Sequence, residues 1–321
     1  MALKSPSLLA PPLLLLTLVA GHATAQEARN WLDRMNRAVD QLNYRGTFVH
    51  VVDGTPETLH IVHRNVAGSS GERILSADGP RREIVREGDQ VQWILPDRKL
   101  VLLETRKDVS PLVSALPSYS TDLEDHYEMN LRATARVANR PAQIVEIKPR
   151  DEFRYGYMLW LDQETAMPLK SQLIDERGRT VEQILFTELR MADDVAASEL
   201  EPTINTQGFA TLRPPESAPL AAAEVPWRAA DVPGGFKLSV ATQSPMPGSQ
   251  YPVEHLVYSD GLATVSVFIE DPKTKADVND GFSKVGSTNT FSLTLSGRKV
   301  TAVGEVPRQT VRTIASSLVA K

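Results

Sequence analysis

Histidines and carboxylates are the side chains of this sequence that could do acid–base or metal chemistry, since it contains no cysteine. His60 and His63 have the spacing of a metal-ligand pair if they lie on a helix. In a strand, an odd offset places two residues on opposite faces instead. His50 could face one of them across a hairpin turn at Asp53-Gly54. We interpret these histidines as polar residues of a solvated surface and predict no metal site.

The sequence lacks the motifs of common catalytic and nucleotide-binding sites. It has no G-x-S-x-G nucleophile elbow, no H-E-x-x-H helix, no G-x-x-x-x-G-K phosphate loop and no G-x-G-x-x-G. Adjacent acidic residues such as Glu124-Asp125 and Asp175-Glu176 are typical of solvated turns, whereas a glycosidase needs two carboxylates across one bond. The sequence therefore predicts no catalytic residue and no cofactor. A cell-envelope hydrolase stays an alternative, which the missing motifs weaken.

The composition is that of a folded protein with about two domains. The chain has 321 residues, of which 41% are hydrophobic and 23% charged, with 22 prolines and 18 glycines. At about 150 residues per domain, it is long enough for two hydrophobic cores. The absence of cysteine excludes disulfides, thiolate metal sites and a lipid anchor on an N-terminal cysteine. The net charge of −5 argues against binding to nucleic acid.

Residues 1–25 have the pattern of a cleaved signal peptide. Lys4 gives a small positive region, residues 8–20 are largely apolar, and Ala23-Thr24-Ala25 precedes a cleavage point at Gln26. The apolar run is shorter than the roughly 20 residues of a membrane-spanning helix, although an uncleaved anchor stays an alternative. We predict a protein of the Gram-negative periplasm without disulfides.

The elements that would position any site begin with an amphipathic helix over Glu27–Leu42, where apolar residues recur every three or four positions. From Tyr44 to Met191 the pattern changes to short strands separated by turn signals. The predicted strands are 44–52, 58–66, 73–77, 83–86, 91–95, 100–105, 127–137, 143–148, 155–161, 169–174 and 181–189. Most have no helix between them, which predicts one large antiparallel sheet in a domain of residues 26–200. Residues 109–116 interrupt this order as a short helix or a crossing loop.

A second, smaller domain follows a linker. Residues 201–225 are rich in proline and alanine and have little periodicity, which is typical of a semi-rigid connection. Residues 226–321 contain two predicted hairpins, around Asp260-Gly261 and Ser296-Gly297, and a final helix that opens at Pro307. These elements predict a small α+β domain.

The most informative candidate for a binding site is apolar. Residues 155–161 are apolar on both faces of a predicted strand, and part of another strand has a one-sided apolar stripe. A sheet that is apolar on both faces must be covered on both or enclose something apolar. A packed core under the first helix is one explanation, and a cavity for an acyl chain is the other. The candidate lipid-binding residues are Val91, Trp93, Leu95, Leu102, Tyr157, Leu159 and Trp160.

Several short stretches of the sequence point to one protein family only when they are taken together and in their order along the chain. They are Tyr44-Arg45-Gly46-Thr47-Phe48, Glu72-Arg73 with Arg82-Glu83, Arg154 to Asp162, Glu182-Gln183-Ile184-Leu185-Phe186, and Val300 to Pro307. Together they resemble the MucB/RseB family, whose members are periplasmic regulators of the sigma-E-type envelope stress response. The resemblance extends through both domains and nearly all of the chain after the signal peptide.

This resemblance implies a fold and a function. The expected fold is mostly β with some α: an unclosed, strongly curved antiparallel β-barrel with covering helices, similar to the lipoprotein carriers LolA and LolB, and a smaller C-terminal domain. The expected function is negative regulation without catalysis. The protein would bind the periplasmic region of a membrane-spanning anti-sigma factor, of the MucA or RseA type, and shield it from regulated proteolysis. Lipid or lipopolysaccharide acyl chains would release it, and in the pseudomonad branch the output is alginate production. A lipid or lipoprotein carrier of the LolA/LolB type is the alternative.

The charge distribution indicates where an acidic partner segment would dock. Residues 26–200 carry 23 Lys and Arg against 29 Asp and Glu, whereas residues 226–321 carry 10 against 8. Such a difference is within ordinary surface variation, but a mildly basic second domain also suits an acidic peptide. The partner-binding candidates are Arg298, Lys299, Arg308 and Arg312. The lipid, the partner's contact residues, the oligomeric state (a homo-oligomer among the options) and the domain orientation stay open.

Overall fold

The computed structural model describes residues 17–105, 116–117, 121–213, 218–220, 224–245, 251–271 and 279–321. Within these ranges the chain forms a large sheet, a smaller sheet and a two-stranded ribbon. Residues 1–16 of the predicted signal peptide lie outside the described residues, and so does nearly all of the interruption expected at 109–116. No helix in the described part of the chain combines the length and apolarity needed to cross a bilayer.

Helix α1 spans Thr17–Gln41 and begins earlier than the predicted helix, inside the segment proposed to be cleaved. Its apolar face is buried as expected: Ala28, Leu32 and Met35 are each at most 1% exposed. These side chains belong to the same buried cluster as residues of the first sheet, such as Phe48 and Leu159. Since most helix stability in proteins comes from burying such a face, α1 depends on the sheet that it covers.

The first sheet has 12 strands, and its topology confirms the prediction of one large unclosed sheet. The strands are β1 (Tyr44–Val52), β2 (Thr55–Val66), β3 (Ser69–Ser76), β4 (Glu83–Glu87), β5 (Gln90–Leu95), β6 (Leu100–Thr105), β7 (Tyr127–Val137), β8 (Arg140–Pro149), β9 (Gly156–Asp162), β10 (Pro168–Ile174), β11 (Thr180–Met191) and β12 (Ala210–Leu212). Their order is β12-β6-β5-β4-β3-β2-β1-β11-β10-β9-β8-β7, so β12 and β7 are the two edges. Every pair is antiparallel except β12 with β6, which is parallel.

The region 201–225 is more ordered at its start than an aperiodic linker. Glu83, which is fully buried, accepts hydrogen bonds from the backbone N–H groups of Thr203 and Ile204 at 2.9 Å, and from the Thr203 hydroxyl at 3.0 Å. A few residues further on, β12 joins the first sheet, and β13 (Ala218–Pro219) joins the second. The sequence pattern missed this because a buried glutamate on one strand, rather than apolar periodicity, holds the segment.

The second domain confirms the prediction of a smaller α+β unit. Its sheet contains β13, β15 (Lys237–Pro245), β16 (Pro252–Ser259), β17 (Thr264–Glu270), β18 (Gly281–Val285), β19 (Thr288–Leu295) and β20 (Arg298–Gly304), in the order β13-β15-β16-β17-β20-β19-β18. A ribbon pairs β14 (Trp227–Ala229) with β21 (Leu318–Ala320). Helix α2 spans Arg308–Ser316, directly after Pro307. Its residues Val311, Ile314 and Ala315 are fully buried against the sheet.

Candidate functional site

The segment Asp151–Tyr155, between β8 and β9, is where the first domain meets the second. The backbone carbonyl of Phe153 accepts a hydrogen bond from Thr310 Oγ1 of α2 at 2.6 Å, and the carbonyl of Glu152 accepts one from the Gln309 side chain. The Tyr155 hydroxyl accepts one from Asn289 Nδ2 at 2.9 Å. Burial raises the pKa of Tyr155 to about 12, so the phenol keeps its proton in this contact.

Arg154 is the centre of this contact. Its guanidinium is fully buried and donates to Asp260 Oδ2 at 2.6 Å, to the Gly234 carbonyl at 2.6 Å and to Asp151 Oδ1 at 2.9 Å. The guanidinium carbon also lies 5.3 Å from the ring centre of Phe236. A buried cation is tolerated only when its donors are paired. Arg154 therefore connects the first domain to two different loops of the second.

The two carboxylate oxygens of Asp260 accept hydrogen bonds from different partners. Oδ1 accepts the backbone N–H groups of Leu262 and Ala263 at 2.8 and 2.7 Å, which fixes the tight turn between β16 and β17. Oδ2 accepts hydrogen bonds from the Arg154 guanidinium at 2.6 Å and from the Tyr127 hydroxyl at 3.0 Å. Burial, followed by the negative charge of Asp260, holds the pKa of Tyr127 well above its usual value. The residue predicted only as a turn former is also the partner of the buried arginine.

A second polar cluster crosses the same domain contact. His50 Nε2 of β1 lies 2.8 Å from Glu182 Oε1 of β11. On the other side, Ser287 Oγ lies 2.8 Å from Glu182 Oε2 and 2.6 Å from Glu305 Oε1. Burial raises the pKa of Glu305 to about 7, with a further contribution from the charge of Glu182. Burial acts on Glu182 too, but its hydrogen bonds with His50 and Ser287 outweigh it and lower the pKa of that carboxyl group.

Two glycines let the domains approach each other closely. Gly286 has φ of +61°, and a Cβ added to it would lie 2.5 Å from Cγ1 of Val52. Gly235 has φ of +85°, and a Cβ there would lie 2.3 Å from the ring of His126. Both positions combine a left-handed backbone with contact across the domain boundary, so only glycine fits without displacement.

Most of the lipid-binding candidates share the helix-covered face of the first sheet. In the strand register, Trp93 pairs with Leu102, and Leu95 pairs with Leu100. Val91 and Leu159 are core residues at 1% and 0% exposure, whereas Trp93, Leu95, Leu102 and Tyr157 are only partly buried. Trp93 packs against the main core cluster, and its indole Nε1 is buried without a hydrogen-bond partner. The partly buried members are therefore the ones that a bound chain could touch.

Trp160 is placed differently from the other candidates. It follows Leu159 on β9 and therefore points to the opposite face of the sheet. The ammonium group of Lys170 lies 4.2 Å from its ring centre, which is a cation–π contact. Burial also lowers the pKa of Lys170. By strand alternation Trp160 therefore faces away from the side of Trp93, with which the sequence grouped it, although both rings pack against the main core cluster.

The four basic candidates of the second domain lie on two different elements. Arg298 and Lys299 begin β20, whereas Arg308 and Arg312 lie on α2, which follows β20 in the chain. Lys299 Nζ pairs with Asp280 at 2.7 Å, and Arg298 pairs with Glu254 at 3.4 Å. The Arg308 guanidinium lies 4.2 Å from the ring centre of Phe282. Arg312 is exposed on α2.

The histidines are not a uniform solvated group. His60 is exposed and lies 3.0 Å from Thr47 Oγ1, whereas His63 is 1% exposed and stacks on Tyr44 at 4.9 Å. The opposite-face argument is thus confirmed, but the expectation of a solvated surface is wrong for His63. Burial lowers the pKa of His63. Among the residues that the structure describes, no group of three or more histidine, aspartate or glutamate side chains is arranged to hold a metal ion.

Family models match both domains. The model of the MucB/RseB N-terminal domain matches residues 27–204, and the model of the MucB/RseB C-terminal domain matches residues 221–319. The chain is 36% identical over 312 residues to the sigma factor AlgU regulatory protein MucB of Pseudomonas aeruginosa, covering 95% of each. It is 28% identical over 304 residues to the sigma-E factor regulatory protein RseB of Escherichia coli K12, covering 94% of this chain and 93% of the relative.

A solved structure shows the same similarity. The complex structure of Pseudomonas aeruginosa MucA/MucB contains a chain with a TM-score of 0.71 and 33% identity, which covers 92% of this chain and 99% of that one. The resemblance inferred from the sequence motifs is confirmed by the two domain models and by near full-length identity above 30%. The chain belongs to the MucB/RseB family of sigma-factor regulatory proteins.

Proposed function

We propose that this protein is a periplasmic negative regulator that binds the periplasmic region of a membrane-spanning anti-sigma factor and shields it from regulated proteolysis. The carrying observation is the match to both MucB/RseB domains, together with near full-length similarity to a MucB chain solved with MucA. Buried polar contacts such as Arg154–Asp260 and Ser287–Glu182 join the two domains that the family models match. The proposed location rests on the signal-peptide pattern of residues 1–25.

The decisive experiment measures binding and protection together. The chain from residue 26 onward is mixed with the purified periplasmic region of the anti-sigma factor from the same genome, and titration calorimetry gives the affinity. The complex is then exposed to the protease that starts degradation of the anti-sigma factor. Saturable binding with slower cleavage supports the proposal. Binding without protection would remove the shielding role, and absence of binding would remove the proposal itself.

Release by lipid is the second part of the proposed mechanism. If a lipid favours an arrangement that cannot bind the anti-sigma factor, the anti-sigma factor must weaken lipid binding by the same factor. Shifting a two-state equilibrium from 1:99 to 99:1 needs about 5.5 kcal/mol of differential affinity. Burying about seven methylene groups at about 0.8 kcal/mol each would supply it. An acyl chain is therefore a sufficient signal in energetic terms.

A lipid or lipoprotein carrier is the alternative, favoured by the partly buried apolar residues on the covered face of the unclosed sheet. Its test is transfer of a fluorescent lipoprotein between vesicles in the presence of the chain. Transfer at a rate that matches a known carrier, without anti-sigma binding, would favour this alternative. A sigma factor and an anti-sigma factor encoded beside the gene would favour the regulator.

A further inference from the structure

Ser287 is in a position where its single proton must serve two carboxyl groups from different domains. Its Oγ lies 2.8 Å from Glu182 Oε2 and 2.6 Å from Glu305 Oε1. A serine hydroxyl donates one hydrogen bond and accepts others. If it donates to Glu182, its contact with Glu305 is a hydrogen bond only when Glu305 carries a proton and donates to Ser287. Ser287 itself is 3% exposed, so water has little access to replace either bond.

The surroundings of Glu305 favour a neutral group there. Glu182 on β11 presents a second carboxylate, and beyond it His50 on β1 is bonded to Glu182 rather than to Glu305. Tyr157 on β9 faces both carboxyl groups and brings no positive charge. The nearby Lys284 pairs with Asp53 at 3.4 Å. Although Glu305 as a residue is exposed, its carboxyl group lies against these polar groups.

This cluster is part of the contact between the domains. Glu182 belongs to the first sheet, whereas Ser287 lies in the turn between β18 and β19, and Glu305 directly follows β20. Next to Ser287, Gly286 fits against Val52 of β1 with no room for a Cβ. A change in how well Ser287 and Glu305 fit Glu182 therefore acts on how the two domains are held together.

We propose that Glu182, Ser287 and Glu305 form a proton-dependent latch between the two domains. In the latched arrangement Glu305 is protonated and donates to Ser287, which donates to ionised Glu182. When Glu305 loses its proton to solvent, two carboxylates compete for one hydroxyl, and the contact between the domains is weakened. The latch adds a pH response to the domain arrangement, separate from lipid binding and from the anti-sigma factor.

The direction of the response follows from linkage. The pKa of Glu305 is about 7 in the latched state and near its ordinary value of 4.5 once the carboxyl group is free in water. The latched state thus binds the proton more tightly, so acidification favours latching. The latching equilibrium strengthens by up to tenfold per pH unit as pH falls from about 7 towards about 5. Glu182 acts in the opposite sense, because its lowered pKa favours latching only while it is ionised, and it limits the effect at lower pH.

The test uses the absence of native cysteine, which allows two unique spin labels. Cysteines at exposed Asp97 and Val319 place one label on each domain of the chain from residue 26 onward. Double electron–electron resonance then gives the distance distribution between about pH 5.5 and pH 8.5. We expect a narrow distribution in acid that broadens as the pH rises from about 5.5 to about 7. The variant Glu305→Gln, which stays neutral, should keep the narrow distribution at every pH.

Three further variants make the outcome specific. Ser287→Ala should broaden the distribution even in acid. Glu254→Gln removes another carboxyl group of the second domain whose pKa is raised by burial, but which pairs with Arg298, and it should leave the response unchanged. His50→Gln should still show a pH response, because the proton that controls the latch is on Glu305, although histidines in general titrate in this range. Circular dichroism confirms that each variant is folded. A wild-type distribution that is independent of pH, or a full response in Glu305→Gln, would overturn the proposal.

Discussion

Arg154 and Asp260 form an ion pair at 2.6 Å in which both side chains are fully buried, although 106 residues separate them in the chain. The pair crosses the domain boundary, and Tyr127 closes it from the first domain. The aspartate also fixes its own turn, so its position is determined before Arg154 reaches it. A buried pair of this kind adds little net stability but is costly to break. Its main effect is to define one arrangement of the two domains.

Breaking this pair is expected to destabilise the chain strongly. Asp260→Asn keeps an oxygen for the turn but leaves the buried Arg154 with only the partly exposed Asp151 as a counter-charge, and breaking a buried pair costs up to about 3–5 kcal/mol. We expect a clearly lower urea midpoint and faster proteolysis of the segment Asp151–Tyr155. The matched control is Asp53→Asn, because Asp53 also pairs across the domains, with Lys284, but with side chains 52% and 40% exposed. Exposed pairs contribute about 0–1 kcal/mol. Equal effects of the two substitutions would show that breaking the Arg154–Asp260 pair costs no more stability than breaking an exposed pair.

The start of the connection should be released by a change on a distant strand. Glu83→Gln removes the charge that receives two backbone N–H groups, the Thr203 hydroxyl and Arg73. Hydrogen bonds to a charged group contribute about 1.5–3 kcal/mol. We therefore expect the substitution to destabilise residues 203–212 locally. Hydrogen–deuterium exchange in these residues should rise by at least tenfold. Glu87→Gln, on the exposed end of the same strand, serves as the control and should leave exchange there unchanged. Unaltered exchange in Glu83→Gln would mean that β12 alone holds the segment.

The elements were largely predictable from the sequence because they rest on local patterns. The bounds of β1, β6 and β7 agree with the predicted strands, and the turns at Asp260-Gly261 and Ser296-Gly297 have the expected glycines at positive φ. The short strands β12 and β13 were missed, since they are added to sheet edges by backbone pairing that leaves no apolar pattern.

The domain contact was not predictable in the same way. Arg154 was singled out only as part of a family motif, Tyr155 as part of that motif and of an apolar strand, and Asp260 only as a turn former. What joins them is pairing over long sequence separation, which has no periodicity. The available signal was chemical: an arginine and two tyrosines at 154, 155 and 157, at the start of an apolar strand, need polar partners once buried. The sequence indicates that these side chains need polar partners, but it does not indicate which residues provide them.

The charge hypothesis for the partner now has a sharper test. Arg298 and Lys299 already pair with carboxylates of their own domain, whereas Arg312 is exposed on α2. If charge guides docking, Arg308→Gln with Arg312→Gln should weaken anti-sigma binding more than Arg298→Gln with Lys299→Gln. The loss should be larger at about 50 mM salt than at about 500 mM, because salt screens exposed charges. Titration calorimetry at the two salt concentrations measures both effects. Equal weakening at both concentrations would point to an apolar interface.

Lipid binding is expected to distinguish Trp93 from Trp160. Trp93 lies on the helix-covered face beside Leu102, partly buried and with its indole N–H unpaired, whereas Trp160 lies on the opposite face beneath Lys170. A chain bound on the covered face would therefore contact Trp93. We expect affinity for fatty acyl chains to rise with length from about eight to sixteen carbons, since each buried methylene contributes about 0.8 kcal/mol. Trp93→Glu should abolish the binding, and Trp160→Glu should leave it within about twofold.

The readout is competition with a fluorescent fatty acid, with thermal melting to confirm that both variants are folded. Absence of binding by the wild-type chain up to the solubility limit would leave a packed core as the role of this face, and loss of binding only in Trp160→Glu would move the site to the other face.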